Sequence, residues 1–468
     1  MGPAHEGGLA APVSAALGGA PPSDAGGLFF VRVNFVFVTS VITAFLALLI
    51  NVVLFRELGA AGKGHYTLFT LATTIGSGAS TLGVGLANVY FIGRGRYPLR
   101  ALIAGSEFLV GAVTVGIAAI VAALAVTDTA RHVFGDLPAW LFALSVPMAL
   151  QLAHLAPVLQ ARHRFAALNL AGGVIPGGTI AGVALLALFD GLTVERALLV
   201  WVASCALANI IAITGVGWGV FAEAFPFRPS FGVLRDQIRF GMQGELGNLL
   251  QLVNYRFDQF VVVTYLNAAA VGFYSVAVAV AESLWLVSGA TLMVLTPRLT
   301  GADDEDAAEF APFVCRTVLL VNILLAICLA AASRVLIETA FGSGAGRSVL
   351  PLMFLLPGVV AMSGGMTLSA YIFSRGRPIL NTYTTAATVV ITLALDLILI
   401  PIVGIRGAAI ASSVAYTASF ALALFWFRRL SGRSPWTAVA VRPSDFRVYA
   451  EVARRAGHRM RHAMARGA

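Results

Sequence analysis

The chain has 468 residues, of which 59% are hydrophobic and only 11% are charged, and its mean hydropathy is +0.87. Water-soluble domains carry about 25% charged residues, so this composition excludes a cytosolic enzyme, a nucleic-acid-binding domain and a disulfide-linked secreted domain. The net charge of +9 is carried almost wholly by arginine, because Lys63 is the only lysine. Cys205, Cys315 and Cys328 lie inside apolar stretches and show no disulfide framework and no metal-ligand spacing.

The first residues are rich in glycine, alanine and proline and show no apolar periodicity. This composition predicts a disordered arm over residues 1–28. The arm does not resemble a signal peptide, because it lacks a basic start and because the first strongly apolar run, from Phe29, is long enough to span a bilayer.

The remainder of the chain is a series of long apolar runs. A membrane-spanning helix needs roughly 20 apolar residues, and on that rule we predict an all-α polytopic membrane protein with twelve spans joined by short connections. The predicted spans cover residues 30–55, 66–92, 99–126, 138–160, 168–189, 196–221, 241–265, 271–297, 312–332, 349–374, 380–402 and 405–427.

The positions of the arginines predict the orientation of these spans. Most arginines lie in the connections after even-numbered spans and in the C-terminal tail, and basic residues are enriched on the cytoplasmic side of membrane proteins. We therefore predict cytoplasmic termini, a six-span lobe over 29–221, a cytoplasmic linker over 222–240, a second six-span lobe over 241–427 and a basic cytoplasmic tail over 428–468.

An internal repeat supports the division into two lobes. Residues 58–67 read LGAAGKGHYT and residues 266–275 read LNAAAVGFYS, and five positions are identical without a gap. Each segment joins the first span of a lobe to its second span, on the same predicted side of the membrane. This arrangement predicts parallel repeats with a site between them, which is a design of alternating-access transporters, although duplicated six-helix halves also occur in channels.

The tail after Phe427 is strongly basic. Apolar residues recur there at helical spacing after Ser444, which is typical of an amphipathic helix on anionic lipid headgroups. A solvated basic tail is the alternative interpretation.

Four segments resemble the polysaccharide-biosynthesis flippases of the multidrug/oligosaccharidyl-lipid/polysaccharide (MOP) exporter superfamily. They read LGAAGKGHYTLFTLA, LGVGLANVYFIGRGR, NYRFDQFVVVTYLNAAAVGFYSVAVAVAESL and IPIVGIRGAAIASSVAY. The resemblance implies two bundles in the V-shaped arrangement of multidrug (MATE) transporters around a central cavity. It also implies movement of an undecaprenyl-pyrophosphate-linked oligosaccharide from the cytoplasmic to the outer leaflet, with the headgroup in the cavity and the lipid tail in the bilayer.

Span 7 carries the densest set of polar residues. At 100° per residue, seven of them fall within an arc of about 160°, which we call the polar face of span 7. Lipid does not accept such a face, so it must line a cavity or another helix. Its members are Glu245, Asn248, Gln251, Tyr255, Arg256, Asp258 and Gln259.

Arg256 is the foremost candidate for binding the pyrophosphate, because a guanidinium group is permanently charged and donates two parallel hydrogen bonds. A salt bridge that holds one conformation is the alternative. Arg32 and Arg56, at the two ends of span 1, would extend a cationic track or instead reach the lipid headgroups. We place Asn248, Tyr255, Gln259 and Asn51 in the substrate-binding set, with helix packing as the alternative for Asn51.

Glu245, Asp258 and Glu282 are candidates for coupling to a proton or sodium gradient, because ionisable groups within spans are costly and are functional candidates by default. Each acid is alternatively structural, and Asp396 is interpreted as a helix-packing group. No motif indicates an ATP site, a resident cofactor or a metal site. Expected partners are membrane lipids, the lipid-linked glycan, a polysaccharide polymerase and glycosyltransferases, in a bacterial cytoplasmic membrane.

Three rival functions remain open. A multidrug antiporter of the same superfamily commonly keeps a carboxylate in the first span, and none occurs between Phe29 and Phe55. A lipid II flippase usually has two further spans. A membrane glycosyltransferase or polymerase would need acidic residues on the outer side, whereas the acidic cluster at residues 303–306 is predicted to be cytoplasmic.

Overall fold

The computed structural model describes residues 24–124, 139–443 and 445–446, with residues 24–40 described by their helical backbone alone. These ranges are almost entirely α-helical and contain no strand. A helix forms all its backbone hydrogen bonds within one segment, which a chain with so few polar residues requires inside a bilayer.

We number the α-helices of the described ranges in chain order. They are α1 (Asp24–Ser80), α2 (Val84–Arg94), α3 (Leu99–Leu124), α4 (Ala139–Ala161), α5 (Phe165–Leu188), α6 (Val194–Val216), α7 (Trp218–Ala224), α8 (Phe231–Arg256), α9 (Asp258–Tyr265), α10 (Ala268–Glu282), α11 (Trp285–Gly301), α12 (Asp304–Phe341), α13 (Val349–Ser374), α14 (Pro378–Val403), α15 (Ile405–Ser431) and α16 (Trp436–Val439).

The described helices confirm a multi-pass membrane protein. Nine of them are long and apolar enough to cross a bilayer, or ten if α10 and α11, which meet at 43°, form one bent span. In that count α1 is a single span, although the Gly59 backbone (φ 68°, ψ −178°) divides it into two helices. The count also omits α8 and α9. Twelve spans therefore stay a prediction.

Several predicted boundaries differ from the helix ends. Helix α1 begins at Asp24, inside the predicted arm, and residues 1–23 lie outside the described ranges. Helix α8 begins at Phe231, so half of the predicted linker is helical, because the Ser230 side chain caps the helix by accepting a hydrogen bond from the Val233 amide. The acidic cluster at 303–306 similarly starts α12, where negative charge favours the helix N-terminus. The predicted tail helix lies mostly in residues 447–468, which are not described.

The two copies of the repeat pack against each other where the lobes meet. A methyl group added at Gly64 would lie 1.8 Å from the Ala268 carbonyl oxygen, and one added at Gly272 would lie 1.9 Å from the Ala60 carbonyl oxygen. The near-equal distances are those of a pseudo-twofold contact between α1 and α10. We call this end of the bundle, which also carries Gly59, the Gly59 end.

The lobes also touch near the opposite end, which we call the Arg94 end after the last residue of α2. There the backbones of Gly83 and Gly241 approach so closely that a methyl group on either would lie 2.2 Å from the other residue. Arg96 and Tyr97 both donate hydrogen bonds to the Asp236 carboxylate of α8, at 2.7 and 2.6 Å. The structure therefore has its lobes in contact at both ends.

Candidate functional site

The polar face of span 7 divides between two neighbours. One part faces the N-terminal lobe, where Thr81 donates a 2.7 Å hydrogen bond to Glu245 and Gly241 meets Gly83. Arg256 follows Glu245 by eleven residues, which places it about 20° away around α8. Arg256 therefore lies on the same side of α8 as Glu245, and its ion-pair partner Glu282 belongs to the C-terminal lobe.

The other part of the polar face packs inside the C-terminal lobe. Thr385 donates to Gln251 at 3.1 Å, and Thr392 donates to Asn254 at 2.9 Å. Both threonines belong to α14, so α14 satisfies the side-chain carbonyl oxygens of Gln251 and Asn254, which lipid would leave unpaired. The polar face of span 7 therefore meets protein on two sides, at the N-terminal lobe and at α14.

Arg256 is held in a two-pronged ion pair with Glu282. The two guanidinium nitrogens each donate to one carboxylate oxygen at 2.8 Å, and the side chains are 30% and 16% exposed. Both residues end a helix, because α8 stops at Arg256 and α10 stops at Glu282. Arg256 lies nine residues from the end of α9, or about 14 Å, which is near half the thickness of a ~30 Å bilayer core.

Aromatic side chains surround one flank of this pair. The Tyr255 ring lies 5.1 Å from the ring of Trp285 and 5.7 Å from that of Tyr416. These contacts fix the end of α8 and hence the direction of Arg256. Interrupted helices that present charged groups at mid-membrane depth are a common way to build a transport site.

Two acids lie buried deeper in the C-terminal lobe. Asp258 is 2% exposed and accepts hydrogen bonds from Tyr274 at 2.5 Å and from Ser412 at 3.2 Å. Asp396 of α14 is fully buried, and neither carboxylate oxygen has a hydrogen-bond partner among the described residues. Asp258 is a charged neighbour of Asp396, so the two buried acids repel each other when both are ionised.

The remaining predicted site residues of span 7 are bound locally. Asn248 donates to Glu245 at 3.4 Å. Gln259 is 3% exposed, and its side-chain oxygen has no partner among the described residues. Glu245 lies eleven residues before Arg256 on α8, whereas Asp258 has both Arg256 and Glu282 as charged neighbours. Of the three acids predicted as coupling candidates, Glu245 is therefore the one that lies apart.

The predicted residues of span 1 lie apart from this site. Arg56 donates to the Thr339 and Ala340 carbonyl oxygens at the C-terminus of α12, where positive charge is favoured by the helix dipole. It thereby links the two lobes at the Gly59 end. Asn51 donates to the Ala47 carbonyl oxygen of its own helix at 2.7 Å. The Arg32 side chain lies outside the described part of the chain.

Sequence reasoning missed a second polar cluster, in the N-terminal lobe. Gln151 donates to Glu107 at 3.1 Å, and fully buried His154 lies 3.3 Å from the Thr81 carbonyl oxygen. Their presence inside apolar runs was the signal that could have identified them. The sequence placed Asp396 in the middle of a predicted span, but nothing in it connected that acid with Asp258.

The interlobe contact at the Arg94 end is insensitive to pH near neutrality. The hydrogen bond from Tyr97 lowers the pKa of Asp236 below its usual value, and the same bond raises the pKa of Tyr97. Both shifts keep Asp236 ionised and Tyr97 protonated at neutral pH. This contact therefore undergoes no change of protonation near neutral pH.

The sequence matches a known protein family. A model of the family described as polysaccharide biosynthesis protein matches residues 104–348, just over half of the chain. The chain belongs to this family. A search of curated proteins found no significant match.

Solved structures show the same fold at low sequence identity. An inward-facing multidrug resistance MATE family transporter of the MOP superfamily is 16% identical, with a TM-score of 0.67 over 83% of this chain and 94% of that chain. The lipid II flippase MurJ in an inward closed conformation is 13% identical, with a TM-score of 0.67 over 85% and 90%. An outward-facing MATE structure is 14% identical and scores 0.57, over 86% and 95%. The fold is therefore that of MOP-superfamily transporters.

Proposed function

We propose that the protein is a flippase that moves a polyprenyl-pyrophosphate-linked oligosaccharide from the cytoplasmic to the outer leaflet for surface polysaccharide biosynthesis. The observation that carries the proposal is Arg256, a partly exposed cation where α8 breaks, about half a bilayer core from the end of α9, in a chain with the fold of known transporters. A guanidinium group at that depth suits a pyrophosphate, because it offers fixed charge and paired donors. Membership of the polysaccharide biosynthesis family favours this substrate class.

The distribution of arginine supports the direction of transport. The Arg94 end carries the arginines of the even-numbered connections, so it is assigned to the cytoplasm by the positive-inside rule. The Gly59 end then faces outward, in a bacterial cytoplasmic membrane with both termini inside. Glycosyltransferases would supply the lipid-linked glycan on the inner side, and a polymerase would consume it on the outer side.

A reconstituted assay tests the proposal directly. The purified protein in liposomes should expose a fluorescent polyprenyl-diphosphate oligosaccharide to a membrane-impermeant quencher, at a rate well above that of protein-free liposomes. In the native host, deletion should remove surface polysaccharide and leave the lipid-linked precursor inside. Fluorescent lipid II and a cationic dye serve as parallel substrates. Transport of lipid II alone, or of the dye alone, would reject the proposal in favour of a lipid II flippase or a multidrug antiporter.

We further propose that the Asp258–Asp396 pair couples transport to an ion gradient. Two buried carboxylates that repel each other need compensation to stay ionised together, so the pair binds a proton or a cation such as Na⁺. Asn254 and Thr392, which bond to each other, lie four residues before Asp258 and Asp396 in the chain, and Ser412 bonds to Asp258; oxygen atoms of this kind suit a hard cation. Glu282 is paired with Arg256 in this structure, so the proposal assigns coupling to Asp258 and Asp396 instead.

The expected result is that Asp258→Asn and Asp396→Asn each make flipping independent of an imposed proton or sodium gradient and slow it by about tenfold, the effect of ~1.4 kcal/mol on the barrier. Gradient-dependent flipping in liposomes measures this. The exposed acid Glu57, changed to Gln, is the matched control and should behave like wild type.

A thermal-unfolding readout separates coupling from a structural role. Asp396→Asn should unfold at the wild-type temperature or above, because it removes a buried acid that has no described hydrogen-bond partner. A lower unfolding temperature with gradient dependence intact would show that Asp396 is structural and would end this proposal.

A further inference from the structure

Lys63 is a buried basic residue that has no role in the site proposed above. It is the only lysine of the chain and is 3% exposed, four residues beyond the break at Gly59. The ammonium group donates a 2.5 Å hydrogen bond to Thr67 Oγ1 and lies 6.0 Å from the ring centroid of Tyr66. No carboxylate of the described residues forms an ion pair with it.

A buried lysine without an acidic partner among the described residues needs an explanation, because burial disfavours its charged form. One hydroxyl group satisfies only one of the three ammonium donors. Leucine or methionine would pack at this depth without that cost. The position therefore gains something from a positive charge in another state of the protein.

The location of Lys63 suggests which state that is. Ala60, Gly64 and Thr67 share one face of α1 by their spacing of four and seven residues. Ala60 and Gly64 lie in contact with Gly272 and Ala268 of α10. Because the ammonium group bonds to Thr67, it sits at the margin of the interlobe contact at the Gly59 end. Separation of the lobes at that end would bring water and substrate to it.

We propose that Lys63 is a phosphate-binding residue of the outward-open state, where it receives the diphosphate of the substrate after Arg256. This inference rests on the proposed flippase function and deepens it. In the closed state the Gly59-end contact hides the ammonium group, and in the open state the diphosphate is its counter-ion. The pairing of Lys63 with the diphosphate thus favours the open state while the charged headgroup is bound.

Chemical labelling tests the exposure of Lys63. A membrane-impermeant amine-reactive ester applied from outside can modify only this lysine, and mass spectrometry separates it from the N-terminal amine. Gly272→Val should raise the labelling rate by about tenfold, as expected for a tenfold shift toward the outward-open state, because its side chain would collide with the Ala60 carbonyl. Gly289→Val is the matched control, since a methyl group added at Gly289 meets no atom within 4 Å. Equal labelling of both variants would overturn the proposal.

Protection experiments test the ligand. In the Gly272→Val protein, undecaprenyl diphosphate should reduce labelling of Lys63 several-fold, whereas undecaprenol, which has no phosphate, should not. Protection by inorganic pyrophosphate as well would show that the diphosphate alone suffices, and protection by the lipid alone would assign the site to the lipid-linked form. Equal protection by undecaprenol, or none by either lipid, would reject the proposal.

Transport kinetics separate this proposal from the function itself. Lys63→Met should slow transfer of the diphosphate from Arg256 toward the outer side and lower kcat about tenfold, and Lys63→Arg should restore much of the loss because it keeps the charge. An unchanged kcat in Lys63→Met would refute the role of Lys63 while leaving the flippase function intact. Absence of flipping in the wild-type protein would refute the function instead.

Discussion

Replacing Arg256 with alanine is expected to abolish flipping of the lipid-linked oligosaccharide, whereas the protein still folds and inserts. Arg256 is 30% exposed and is the only arginine of the described chain that pairs with an acid at the breaks of α8 and α10. Its loss would remove the cation that replaces water around the diphosphate. The liposome assay measures the rate, and surface polysaccharide in the native host reports the same loss.

The partner of Arg256 gives a sharper test than the arginine alone. In the closed structure Glu282 occupies both donors of Arg256 at 2.8 Å, so a diphosphate must displace this carboxylate to bind. Glu282→Gln should therefore bind undecaprenyl diphosphate more tightly, with a Kd about tenfold lower, which corresponds to ~1.4 kcal/mol. If the pair were purely structural, Arg256→Ala and Glu282→Gln would destabilise the protein equally, and Glu282→Gln would not bind the diphosphate more tightly.

The control for this experiment is an exposed ion pair. Arg334 and Glu338 lie 3.1 Å apart on the surface of α12, and the arginine side chain is 80% exposed. Such pairs contribute about 0–1 kcal/mol, so Arg334→Ala should leave flipping and ligand affinity unchanged. Normal flipping by Arg256→Ala at equal protein level would remove Arg256 from the site.

The largest effect on stability is expected where the C-terminal segment meets α12. Arg316 donates to both oxygens of Asp445 at 2.5 and 2.6 Å and to the Thr437 carbonyl oxygen at 2.9 Å. The two side chains are only 2% and 1% exposed. Removing either partner leaves a buried charge unpaired, which costs about 3–5 kcal/mol. Arg316→Met and Asp445→Asn should therefore each lower the Tm markedly.

A double variant separates the ion pair from simple packing. Because Arg316→Met/Asp445→Leu leaves neither charge unpaired, it should recover much of the stability lost by the single variants. Unfolding in detergent measures all of these proteins. Additive losses in the double variant would mean that packing of the side chains, and not their charge, stabilises the docked segment.

The same pair has a defined dependence on pH. Burial alone would raise the pKa of Asp445, but hydrogen bonds from Arg316 and from the Arg442 amide outweigh it, so its pKa lies below the usual value. A depressed pKa means that the stabilisation is complete above the unfolded-state value of about 3.9 and is lost as the pH falls through the lower folded-state value. The contribution should therefore be constant near neutral pH and disappear only in strong acid, and the single variants should show no such loss.

Much of the architecture followed from the sequence because the bilayer imposes simple rules. The long apolar runs dictate helices, since lipid supplies no hydrogen bonds to a backbone. The repeat at 58–67 and 266–275 identified the two lobes, and the structure shows these segments in reciprocal contact through Gly64 and Gly272. The predicted family is confirmed by the family match, which covers the third of the four quoted segments. Periodicity alone also predicted that the polar face of span 7 meets protein.

Pairings between distant residues were beyond the sequence. Nothing in one chain indicates that Arg256 meets Glu282 twenty-six residues later, because the breaks after α8 and α10 set the relative rotation of their ends. Arg56 was predicted to extend a cationic track, and only the position of α12 brings carbonyl oxygens to it. The bonding of Arg316 to Asp445 likewise depends on how the segment after α15 folds back.

The sequence by itself determined that the chain lies in lipid, that it is helical, that it has two related lobes and which family it belongs to. Each of these follows from composition or from local and repeated patterns. The tertiary structure alone decided which charges are neutralised, which stay unpaired and which surfaces of the lobes touch. The physical reason is that a buried charge is stabilised or penalised by groups within a few ångströms. Those groups come from helices whose packing no local pattern specifies.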